Sequence, residues 1–258
     1  MQRISRRGLV RGAGFGAAVG AVGVPELQRW WGWDNPPLGG GYAAADDTQG
    51  AIGTSSVQVR YFVETSRPLV ALTFDDGPAP RAGGAGDTGD LLHGGRNVRD
   101  HCDLVENRLG GHEVGNHSWA HRDLATMDLQ GIQDDLRQTH AIIRDRLGRT
   151  PTLMRPPFGH LGGSTVLAAD SLGYDLVLWD RQMHERRFSD DSAGQAKGIV
   201  DSVRPGSIIL AHDAGDKRRL VALGALKEIV TGLKARGFEF VTVSDLIADA
   251  ARPAAVSH

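Results

Sequence analysis

The stretch PLVALTFDDGP, residues 68–78, sets an apolar run against two adjacent carboxylates and a Gly-Pro turn. An apolar run of this length, bounded by a proline and a turn, reads as a strand buried on both faces. Three other runs have the same character: LVLW (176–179), SIILAH (207–212) and FEFVTV (238–243). Helical patterns lie among them. Residues 123–148 carry Leu124, Met127, Ile132, Leu136, Ile143 and Leu147 near helical spacing and end on glycine, and 218–237 form a second amphipathic stretch, again stopped by glycine. Strands alternating with helices imply parallel βα units, hence an α/β fold built as a doubly wound sheet or a barrel. The polar residues of interest fall at the C-terminal ends of the strands, where the sites of βα barrels collect.

Length and composition narrow the function. With 258 residues, 40% hydrophobic and 23% charged, the chain suits one large globular domain or two small ones. A net charge of −2 gives no reason to expect nucleic acid or an anionic membrane as partner. The one cysteine, Cys102, excludes an internal disulfide and a cysteine-based zinc site, and reads as a small buried apolar residue. At the N-terminus, MQRISRRGLVRGAGFGAAVGAVGVP pairs Arg6 and Arg7 ahead of an uncharged Gly/Ala-rich run from Gly12 to Val24. That run is too short and weakly apolar to span a bilayer. Residues 1–25 therefore read as a twin-arginine-like export signal rather than a disordered basic tail, leaving no stable membrane span after export. Residues 26–66, with WWGWDNPPLGGG inside, read as a linker, and 248–258 as a tail.

The chemistry sits in four places. Asp75 and Asp76 end the first strand, and at a strand end turning into a loop both can reach one cleft. His117 and His121 are four apart, a spacing that on a helical turn puts both imidazoles on one face to share a metal. With a strand-end carboxylate they suggest a two-His, one-Asp site suited to Zn²⁺, with Co²⁺, Ni²⁺ or Fe²⁺ as other fits. Arg155, in MRPPFG, is either a surface turn residue or a guanidinium that orients a carboxylate. His212, at the end of SIILAH, is a general acid or a satisfied core histidine.

Asp75-Asp76, His117-x-x-x-His121, Arg155-Pro-Pro-Phe-Gly and Leu210-Ala-His212, in this order, resemble the polysaccharide deacetylases of carbohydrate esterase family 4 over about residues 67–247. The resemblance implies a distorted (β/α) barrel and an enzyme that removes acetyl groups from an N-acetylglucosamine-containing glycan or an acetylated xylan. It also implies one divalent metal, zinc foremost, on Asp76, His117 and His121, with Asp75 as base and Arg155 orienting it. His212 is implied as acid, and Trp179, Leu210 and Phe158 as substrate-binding residues.

The sequence departs from the family twice. Where members carry an Asp-Trp pair whose aspartate tunes the acid histidine, this chain offers Glu185 or Asp180. Between the first two motifs the family has a helix and a buried strand reading like ATFFMVG, whereas AGGAGDTGDLLHGG (82–95) holds six glycines in fourteen residues. A coding sequence GGC GAC CTT CTT CAT GGT GGG for GDLLHGG reads ATFFMVG when shifted by one base. Residues 81–94 therefore read as translated out of the ancestral frame, with one helix and one core strand degraded. This leaves a second expectation open, a catalytically impaired or glycan-binding descendant.

Overall fold

The computed structural model describes residues 57–76, 90–93, 112–185, 187–188, 190–212 and 220–251. The export signal, most of the linker, Cys102, residues 81–89 and the end of the tail lie outside them.

Among the described residues nine strands form one parallel sheet system: β1 (Val59–Arg60), β2 (Leu69–Asp75), β3 (Asp90–His93), β4 (Val114–Asn116), β5 (Leu153–Met154), β6 (Asp175–Val177), β7 (Arg181–Gln182), β8 (Ile208–His212) and β9 (Glu239–Phe240). Their order is β1-β6-β5-β4-β3-β2-β8-β7, with β9 on β2. No direct pairing of β6 with β7 closes the ring among the described residues. The two are nonetheless consecutive on one stretch, 175–182. β6 pairs with β5 and β7 with β8, so Leu178, Trp179 and Asp180 carry the chain across the gap. Isolated backbone bonds also cross this seam, Phe62 bridging to Ser207 and the Asp180 N–H donating to the Ile208 carbonyl at 3.2 Å, so the sheet is a distorted barrel without a continuous ladder.

The sheet obeys the period of two. Along β2, Leu69 and Ala71 pack with Leu176, Trp179, Ile208 and Leu210. Their neighbours Val70, Leu72 and Phe74 pack with Ile209, Ala211 and the helical residues Ile199, Ile229 and Leu233. Both faces are buried, which accounts for the unbroken apolar run in the sequence. Each of the larger side chains, Val, Leu, Ile and Phe, contributes about 1.5–3 kcal/mol by leaving water.

Among the described residues five α-helices cover the sheet: α1 (Leu129–Leu147), α2 (Gly163–Ser171), α3 (Ser192–Ser202), α4 (Leu220–Ala235) and α5 (Val243–Ala250). Asp128 caps α1 by accepting from the Gly131 N–H, and Gly148 ends it at φ 62°, in the left-handed conformation glycine adopts without strain.

Two expectations change. The FEFVTV strand shrinks to Glu239–Phe240, because Thr242 accepts from the Asp245 N–H and starts α5 at Val243. The place of the degraded core strand is filled: Asp90–His93 pairs in parallel with β2 on one side and β4 on the other. Four residues of ladder are thus held by neighbours even where the local sequence is glycine-rich.

Candidate active site

The inward row of β2 continues past its apolar part into Thr73 and Asp75, both buried. Arg155 follows β5 and is fully buried. Its Nη1 donates to Thr73 Oγ1 at 2.9 Å and to Asp75 Oδ1 at 2.8 Å, while Nε and Nη2 donate to the carbonyls of Val177 and Leu178 at 2.9 and 3.1 Å. A planar guanidinium fixed by four acceptors has one orientation, and it gives Asp75 one too. Burial pushes the Asp75 pKa up, but the charge of Arg155, helped by His117 and His212, outweighs it and holds the carboxyl below its usual range. The surface-turn reading of Arg155 is excluded by its burial.

Asp76 sits at φ 66°, a left-handed kink that turns the chain at the strand end and brings both carboxylates to one cleft. Asp75 Oδ2 and Asp76 Oδ1 each lie 3.7 Å from His117 Nε2, and Asp76 Oδ1 lies 3.1 Å from His121 Nε2. Asp76, His117 and His121 each present one donor atom within 4.8 Å of the others, the one such group among the described residues. His117 Nδ1 lies 2.8 Å from the Arg155 carbonyl oxygen, which can only accept. Nδ1 therefore carries the proton and Nε2 presents a lone pair to the cluster. Burial, opposed by the two aspartates, pulls the His117 pKa down, whereas the hydrogen bond to Asp76 raises that of His121. A carboxylate and two imidazole nitrogens converging in this way fit a divalent cation.

The helical turn expected for His117–His121 is not there. β4 ends at Asn116, and Ser118 (φ 64°) and His121 (φ 51°) are left-handed. The two rings still meet, edge to face, with centroids 5.2 Å apart. All four non-glycine residues with positive φ among those described, Asp76, Ser118, His121 and Phe158, lie at this site. Each such conformation costs about 1–3 kcal/mol and persists only where its surroundings enforce it.

His212 faces the cluster from β8, whose register pairs it with Asp75 and pairs Leu210 with Thr73. Its Nδ1 lies 2.9 Å from Glu185 Oε1. Asp180, the other candidate partner, is engaged elsewhere: it accepts from Ser207 Oγ at 3.1 Å, the Ile208 N–H at 3.0 Å and Arg204 at 3.3 Å. Leu210 and Trp179 are buried beside this row, and the Arg155 guanidinium lies 5.5 Å from the Trp179 ring centroid. Phe158 stands at φ 62° and is 54% exposed, its ring edge-to-face with His121 at 4.9 Å. It is an apolar wall left open to solvent beside the histidines.

Comparison with known proteins places this constellation. The polysaccharide deacetylase family matches residues 91–177. A family 4 acetyl xylan esterase from Clostridium thermocellum, solved with a cobalt ion, is 30% identical, with a TM-score of 0.61 over 70% of this chain and 90% of that one. The chain belongs to the polysaccharide deacetylase family. A peptidoglycan-N-acetylglucosamine deacetylase from Bacillus cereus is 29% identical over 201 residues, 73% of this chain and 92% of that protein. A Listeria monocytogenes protein of the same name is 30% identical over 186 residues, and there this chain spans 38% of the relative's length.

Within this deacetylase fold, residues overlooked in the sequence do the holding. Thr73 anchors Arg155 and donates to the Ile209 carbonyl at 2.8 Å. Asn116, fully buried, donates to the Leu136 carbonyl and Tyr174 Oη, both at 2.9 Å. Polar residues inside apolar patterns were the available signal for both.

Proposed function

We propose that this member of the family is a metal-dependent hydrolase that removes acetyl groups from a polysaccharide, an N-acetylglucosamine-containing glycan or an acetylated xylan. The observation that carries the reading is the in-register pairing of Asp75 with His212 beside the Asp76–His117–His121 cluster. A base and an acid thus flank one cation-binding group.

Asp76, His117 and His121 would hold the ion, zinc foremost. When bound, such an ion lowers the pKa of water and polarises an acetyl carbonyl. Asp75 is the general base. Arg155 occupies its Oδ1, so Oδ2, the oxygen 3.7 Å from His117 Nε2, takes the proton of the attacking water. His212 gives a proton from Nε2 to the departing amine or alcohol, with Glu185 holding the Nδ1 proton. Leu210 and Trp179 bound the space for the acetyl methyl, and Phe158 offers its exposed face to a sugar ring. A polymer of the cell wall or the surroundings lies outside the membrane, which gives the twin-arginine-like start of the chain its purpose. No helix among the described residues is long and apolar enough to cross a membrane.

The test is acetate release from peptidoglycan, chitooligosaccharide and acetylated xylan, with and without added Zn²⁺. Metal-dependent release from at least one, abolished together with metal binding in His117→Ala, is the expected result. A well-folded chain that binds metal and turns over none of the three belongs to the alternative, a glycan-binding descendant.

A further inference from the structure

The turn from His117 to His121 contains two left-handed residues and no helix, so its shape needs more than a helical hydrogen-bond ladder to hold it. Its backbone shows what does. The Ser118 N–H donates to Asn116 Oδ1 at 2.9 Å and the His121 N–H to Ser118 Oγ at 3.0 Å. Between them the Trp119 N–H donates to Asp135 Oδ1 at 2.5 Å and the Ala120 N–H to Asp135 Oδ2 at 3.3 Å. Four successive amides are thus taken by side chains, and the middle two by one carboxylate. Asp135 lies on the apolar stripe of α1, between Ile132 and Leu136, with its side chain 2% exposed. Among the described residues its one ion-pair partner is Arg122, 3.5 Å away and 57% exposed. A buried carboxylate on the core face of a helix is expensive unless its oxygens are fully used. Here both are used on the loop that carries the two histidines.

We infer that Asp135 is a positioning residue. It reaches from α1 to clamp the 119–120 backbone, and so fixes the separation and aim of His117 and His121 before any cation arrives. The inference rests on the cation site proposed above. The carboxylate makes no contact with the ion and acts through the backbone. Removing it leaves the three ligands in place but lets the turn relax from its left-handed conformations, so the ligands must be reordered at the moment of binding. Partners outside the ligand shell typically change metal affinity 10–100-fold.

Two measurements on the full chain test this. In wild-type protein stripped of metal, the Trp119 and Ala120 amides should exchange with deuterium as slowly as those in the middle of α1. Fast exchange that slows only on adding Zn²⁺ would mean that the ion builds the turn, and overturns the inference without any mutation. Second, Asp135→Asn should weaken Zn²⁺ and Co²⁺ binding 10–100-fold and alter the visible spectrum of bound Co²⁺. Asp134→Asn, next to it on the exposed face and bonded among the described residues to Gln130 and Arg137, should change neither. A folded Asp135→Asn protein with wild-type affinity and spectrum sinks the inference alone. A wild-type chain that binds no Zn²⁺ sinks the site reading and this inference with it.

Discussion

The two halves of the proposed acid–base pair are built differently. On the β2 side, Asp75 is buried and held by a fully buried arginine that is itself fixed by Thr73 and two backbone carbonyls. On the β8 side, His212 and Glu185 keep 17% and 11% side-chain exposure, and one hydrogen bond joins them. The base belongs to the barrel interior, whereas the acid's partner stands on the stretch that leaves β7. A group that must keep its charge is locked, and a group that must exchange a proton with the leaving atom is left nearer to water.

Breaking the locked side should have the largest effect. Arg155→Met leaves Asp75 buried without its cation, and should lower the free energy of unfolding by about 3–5 kcal/mol in urea titrations. Acetate release should fall by about 10²–10⁴-fold in protein kept folded, since the base loses its orientation. On the looser side, Glu185→Gln should lower kcat by roughly tenfold or more while moving stability by less than about 1 kcal/mol, because the pair is partly solvated. Equal stability losses in the two variants would erase the contrast.

Acid titration probes the locked side without mutation. The Asp75 carboxyl binds its proton less readily folded than unfolded, so its stabilisation is complete above the ordinary carboxylate range. It drains away as pH falls below about 4 towards the lower folded value. In Arg155→Met the largest charge opposing burial is gone, so burial should prevail over the smaller influence of His117 and His212 and the sign should reverse, with stability improving as the same carboxyl is protonated. Denaturant midpoints between about pH 3 and 6 would separate these slopes. The smallest effect belongs to Glu185→Asp, which shortens the partner by one methylene. A loss of only a few-fold in kcat is expected if the stretch after β7 can follow the shorter side chain, and a loss equal to that of Glu185→Gln would show that it cannot.

The residues that carry charge or metal-binding chemistry were legible in the sequence because strands end where apolar runs end. Asp75, Asp76, Arg155 and His212 could therefore be placed at strand ends from pattern alone, whereas the choice of a barrel over a doubly wound sheet came from the family resemblance. What the pattern could not carry was backbone shape. The His117–His121 spacing is shared by a helical turn and by the left-handed turn found here, and only the side chains of Asn116, Ser118 and Asp135 decide between them. Asp135 itself was hidden because an acid on an amphipathic helix usually faces water. Its position three residues after Ile132 and four before Thr139 marked the core face instead. Glu185 and Asp180 were equal candidates to meet His212 until the register of β7 and β8 gave Asp180 to Ser207 and Ile208. Propensity also misjudged residues 90–93, where neighbouring ladders on both sides outweigh glycine-rich flanks.

The crossing from β6 to β7 has a bearing on how such a protein can change over generations. The carbonyls of Val177 and Leu178, at the break in the ladder, find their donors in Arg155. One side chain therefore seals the sheet and aims the base. A lineage that abandons hydrolysis but keeps the barrel is free to lose Asp76, His117 or His121, each replaceable without opening the wall. It is not free to lose the arginine. In inactive descendants built on this plan, Arg155 should outlast the chemistry it once served.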